Sequence, residues 1–98
     1  MSDINKRIAV EVMKFPDLLD LRLQTFHPDT NMNDAMMVVD KLREDGWVMH
    51  LTVDSKPSEI HLTNICEFEG ERGNHVEYAD TAPMAICLAA LKVKEGEG

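Results

Sequence analysis

Apolar residues first recur at helical spacing near the start of the chain. Ile4, Ile8, Val12 and Phe15 fall near one face, Asp3 is placed to cap and Pro16 to stop, so an amphipathic helix is expected over 3–15. The pattern then changes. DLLDLRLQTFH alternates at Leu19, Leu21 and Leu23, which predicts an extended arm over 17–28 before the PDT turn. Next, Asn31 caps a helix over 32–45 with Asp34 at its third position. Ala35, Val38, Val39 and Leu42 form the i, i+3, i+4, i+7 stripe of a helix buried on one side. Gly46 suits the left-handed residue beyond that helix, and Trp47 falls where a contact back to Leu42 is expected.

Period-two segments follow. WVMHLTVD and EIHLTNICEFEG read as strands over 47–54 and 59–68, turned by SKPS with its Pro57. If Asp54 pairs with Glu59, one face carries Trp47, Met49, Leu51, Val53, Ile60, Leu62 and Cys66; the other carries His50, Thr52, Asp54, Glu59, His61 and Thr63. GERGN leads into a third strand over 74–79. Thr81 then caps a last helix over 82–93, with Pro83 in its first turn, and KEGEG, residues 94–98, reads as a frayed tail. Consecutive strands joined by short turns form an antiparallel sheet. The expected fold is therefore α+β, a single domain over 1–98 in which a small sheet of three to four strands packs with three helices as a layered α/β sandwich.

The last helix is unusual because YADTAPMAICLAALKV runs eleven residues past Asp80 without a charge. A helix apolar on every side is buried on every side, either between a sheet and another helix or against a second copy of the chain. Composition narrows the partners. Ten Lys and Arg face eighteen Asp and Glu, a net charge of −8, which opposes polymeric nucleic acid. No stretch reaches the roughly 18–20 apolar residues that span a bilayer, and MSDINKRIAVEVMKF lacks the apolar centre of a signal peptide, so a cytoplasmic protein is expected. Cys66 and Cys87 are then expected as small core residues.

Two phrases, NMNDAMMVVDKLREDGWVMHL and the later YADTAPMAICLAALKV, resemble the phage ABA sandwich domain family of small phage and prophage proteins. The resemblance runs from INKRIAVEVM to Val93 and is most specific over ADTAPMAICLAAL. Met37 departs from it, standing where the family usually has a polar residue. It implies an α/β sandwich and a phage origin. It supplies no catalytic residues, so no site is carried over.

The chemistry must come from the residues themselves. G-x-S-x-G, G-x-G-x-x-G and H-E-x-x-H are all missing, and Cys87 lies in an apolar helix that disfavours a thiolate, so neither catalytic residues nor a cofactor are expected. His50 and His61 share the polar strand face with Asp54 and Glu59 and are the candidates for a metal, although a solvated polar face has the same pattern. For a small anionic ligand, the helix starts at Asn31 to Asn33 and Thr81 to Pro83 present N–H groups. Trp47, Tyr78 and Phe26 can stack a base, and Arg22, Arg43, Arg72 and Lys41 can neutralise phosphate; Asp80 opposes an anion at Thr81. The resulting expectation is a non-catalytic phage binding protein in the host cytosol that sequesters a nucleotide-derived host-defence signal as a homo-oligomer. Its ligand residues would be Asn31, Asn33, Trp47, Tyr78, Thr81, Arg22 and Arg43. The alternative is an accessory or host-inhibiting interaction module that contacts a host protein through Met36, Met37 and the apolar helix; a metal-dependent enzyme using His50 and His61 comes third.

Overall fold

In the computed structural model, which describes residues 3–14, 26–55 and 62–97, α1 (Asp3–Arg7) passes directly into a π-helical segment, Ile8–Val12. Arg7 at the junction keeps helical angles, and Met13 N–H donates to the Ile8 carbonyl five residues back at 3.0 Å, a widened turn. Lys14 then takes a left-handed φ of 55°, which ends the helix short of the expected Phe15. The buried stripe is Asn5, Ile8, Ala9 and Val12, with Ile4 only half-buried. Asn5 lies inside because its Oδ1 accepts the Asp29 N–H at 3.1 Å, tying α1 to the turn before the next helix. Residues 17–25 of the expected arm lie outside the described residues.

The second helix, α2 (Met32–Glu44), is capped as its sequence predicts: Asn31 Oδ1 accepts the Asp34 N–H at 3.2 Å. Its exit is a Schellman turn. Gly46 adopts φ 96° and donates to the Arg43 carbonyl at 3.0 Å, while Trp47 N–H reaches the Leu42 carbonyl at 3.1 Å. Leu42 and Trp47 both enter the core, together with Ala35, Val38 and Val39.

Three antiparallel strands in the order β1-β2-β3 form the sheet among the described residues: β1 (Val48–Ser55), β2 (Leu62–Gly70) and β3 (Gly73–Ala79). The register differs from the expected one. Asp54 lies opposite Thr63 rather than Glu59, and Leu51 lies opposite Cys66, so more of the chain is spent between the strands. The displacement is an even number of residues, which keeps each side chain on its expected face because the pleat repeats every two. Cys66 and Phe68 point into the core, while Val48, Thr52, Glu69 and Tyr78 are exposed on the other face. Asn64, buried on the core side, donates from Nδ2 to the Asp80 carbonyl at 2.9 Å and so fixes the corner between β3 and the last helix.

That helix, α3 (Ala82–Glu97), is largely covered within one chain: it packs on β2 and β3 and also meets α1, the π segment and α2, while Met84 and Leu88 stay half-buried and Lys92 and Glu95 exposed. Ala85, Ile86, Cys87, Ala89, Ala90 and Val93 are fully buried. Helix continues through the stretch expected to fray, because its last turns are held from three directions. Glu95 pairs with Arg7 at 3.2 Å, Lys94 with Asp45 at 3.6 Å, and Gly96 lies against the His75 ring. Asn64→Ala leaves the Asp80 carbonyl without its buried donor, and urea unfolding should show a loss of about 1–3 kcal/mol with m unchanged.

Candidate functional site

The geometry at the Trp47 end of the sheet follows from two glycines. Gly70 has no side chain where Trp47 crosses β2; a Cβ there would come within 2.7 Å of a ring carbon. His75 meets the other side of the indole edge-on, with ring centroids 5.5 Å apart, and a Cβ on Gly96 would approach His75 Cε1 to 2.8 Å. Gly70, Trp47, His75 and Gly96 thus form one continuous stack from sheet to helix end. Beside it opens a cleft of about 580 Å³.

Trp47 forms one wall of this cleft, and the charged lining is Lys14, Arg72 and Lys94 with Asp45 and Glu71. Three cations against two carboxylates make it locally positive in a chain of net charge −8. One of these cations is held in place. Lys94 is only 12% exposed and pairs with Asp45, while Lys14 is presented by its left-handed backbone at the end of the π segment. Trp47 is only 4% exposed and packed against Gly70 and His75, so the surface of the cleft is chiefly that of its charged side chains.

Of the residues expected to serve a ligand, Trp47 and Arg72 line the cleft, and the others do not converge here. Asn31 and Asn33 are exposed at the far end of α2, about 19 Å from its exit at 1.5 Å per residue. There the Asp34 carboxylate already accepts the His27 N–H at 2.8 Å, so the helix start carries a negative charge. Arg43 is exposed beside Asp40 in the last turn of α2. Tyr78, 60% exposed, stands on the open sheet face, and Thr81 caps α3 by accepting the Met84 N–H at 3.4 Å. Phe26 is buried in the core, and Arg22 lies outside the described residues.

His50 is opposite Glu67, and its Nε2 contacts Glu69 Oε2 at 3.0 Å; His61 lies outside the described residues. Among the described residues, no three His, Cys, Asp or Glu side chains are grouped to hold a metal. Lys14, Asp45, Lys94 and Gly70 were not legible as site residues because two of them depend on the α3 end being ordered. The spacing of glycines around the single Trp was the signal available.

The match to known proteins agrees with this architecture. The phage ABA sandwich domain family matches residues 6–91. The chain belongs to that family. A phage protein from Bacillus cereus ATCC 14579, known from a 2.0 Å crystal structure, superposes with a TM-score of 0.74 at 24% identity, over 97% of this chain and 89% of that one. At this identity the likeness concerns the fold. No curated protein matches the chain.

Nothing in the cysteines of this ABA sandwich protein indicates catalysis. Cys66 and Cys87 are fully buried free thiols, and burial pushes both from 9.0 up to about 12; Asp29 and Cys66 add to the effect at Cys87. The unfolded thiols ionise first as pH rises, so the unfolded state binds fewer protons and stability falls between about pH 9 and 12. Unfolding free energy should drop above pH 9 by about 1.4 kcal/mol per unit per thiol, with roughly half of the thiol contribution removed by Cys87→Ala. In a second test, Gly70→Ala forces the indole off β2 and should destabilise by about 1–3 kcal/mol, accompanied by a red shift of Trp47 emission in the folded protein.

Proposed function

We propose that this phage protein is a non-catalytic binder of a small anionic, nucleotide-like ligand in the host cytosol, where it sequesters a nucleotide-derived signal. The observation that carries this proposal is the cleft, where Lys14, Arg72 and Lys94 gather beside the edge of Trp47 in an otherwise acidic chain. The buried thiols are consistent with binding rather than chemistry. No helix among the described residues is long and apolar enough to cross a membrane. The interaction-module reading is supported by Met37, 45% exposed on α2, and by the open sheet face; Met36 is half-buried, and most of the apolar surface of α3 is covered within the chain.

The test is thermal unfolding with a panel of cyclic nucleotides and ADP-ribose derivatives. A true ligand at a hundredfold excess over its Kd adds about 2.7 kcal/mol, which raises Tm by more than about 10 °C in a domain of this size. Arg72→Glu should abolish the shift while leaving the ligand-free Tm within a few degrees. If no member of the panel moves Tm, the sequestering function is wrong and the interaction module is favoured.

A further inference from the structure

The cleft beside Trp47 holds hydrogen-bonding groups of both kinds. Lys14, Arg72 and Lys94 can only donate, while the carboxylates of Asp45 and Glu71 can only accept. Glu71 and Arg72 are the two residues that turn β2 into β3, so an acceptor and a donor stand side by side there. At the other end Asp45 lies 3.6 Å from Lys94 Nζ, beyond the roughly 2.7–2.9 Å of a charged hydrogen bond, and keeps lone pairs for a ligand. Trp47 is the one aromatic in the lining among the described residues. Packed on Gly70, met by the His75 ring at 5.5 Å and 4% exposed, its indole offers no open face, and a base needs such a face to stack. Three cations over two carboxylates leave one positive charge to spare. That excess favours a single phosphate, because a polyphosphate would press further charges against Asp45, Glu71 and a chain of net charge −8.

We infer, resting on the assignment of this cleft as a ligand site, that it recognises a sugar phosphate unit, one phosphate with the hydroxyls of its sugar, and leaves the base of a nucleotide unread. Lys14, Arg72 and Lys94 take the phosphate oxygens, and the planar fork of Arg72 can hold two of them at once. Asp45 and Glu71 take the hydroxyls. Carboxylates hold ribose hydroxyls in dinucleotide sites by the same chemistry. Against a bare anion these two acids would only repel; against a ligand with O–H donors beside its phosphate they become partners. The volume of about 580 Å³ falls within the roughly 300–1,000 Å³ of small-molecule sites. The protein therefore binds nucleotides of different base alike, provided that they present the same sugar and phosphate.

Isothermal titration calorimetry on the full chain compares ribose 5-phosphate, adenosine monophosphate, cytidine monophosphate, adenosine and methyl phosphate, a phosphate ester without hydroxyls. The three sugar phosphates should bind with Kd values within about threefold of one another, methyl phosphate at least about tenfold more weakly, and adenosine not at all. Glu71→Gln should weaken ribose 5-phosphate and tighten methyl phosphate, since it removes a hydroxyl acceptor from the first and a repulsion from the second. A stacked base is worth roughly fivefold or more in affinity. Adenosine monophosphate binding tighter than ribose 5-phosphate by that margin overturns base indifference while the cleft stands as a ligand site. Movement of both esters in the same direction in Glu71→Gln refutes the hydroxyl contact. Should that variant fail to fold, the wild-type comparison decides, and methyl phosphate binding as tightly as ribose 5-phosphate refutes it. If no phosphate-bearing probe binds, the ligand site itself is wrong, and its preference for sugar phosphate falls with it.

Discussion

The other elements are placed by the requirement that α3 be surrounded. Apolar side chains cover most of its circumference, leaving only the row of Met84, Leu88, Lys92 and Glu95 partly or fully exposed, so the helix is stable only where neighbours cover the rest. β2 and β3 cover one side, and α1, the π segment and α2 cover the others. The small residues Ala85, Ala89 and Ala90 are what let so many neighbours approach a single helix.

Polar groups fix the angles at which this packing is reached. Asn5 and Asn64 are the two buried amides among the described residues, and each satisfies a backbone group at a change of direction: Asp29 before α2 and Asp80 before α3. The caps at Asn31 and Thr81 and the Schellman turn at Gly46 act at the same junctions. Hydrophobic burial thus supplies the driving force without direction, and a handful of hydrogen bonds supply the direction.

Much of this was legible in the chain. Local signals with a physical cause, such as the Asn31 cap, the Gly46–Trp47 exit and the apolar circumference of the last helix, correspond to what the structure contains. The α+β class followed from the order of those elements. The strand register was not legible, since SKPS resembles a tight turn and nothing local reveals how far the connection extends. The α3 end was misjudged for a related reason: KEGEG looks unstructured by propensity, but Glu95, Lys94 and Gly96 acquire partners from Arg7, Asp45 and His75, far away in the sequence. The cleft inherits that difficulty. Its lining comes from four separate stretches of chain, and only Trp47 and Arg72 among them were candidates by residue type.

The position of α3 in the chain also bears on how the protein is made. Its innermost helix is translated after every element that packs on it. Until that helix leaves the ribosome, the stripes of α1 and α2 and the inner row of the sheet have nothing to close upon. Closure of the core therefore waits on the arrival of one segment, whose contacts with β2, α2 and the π segment are distant in sequence.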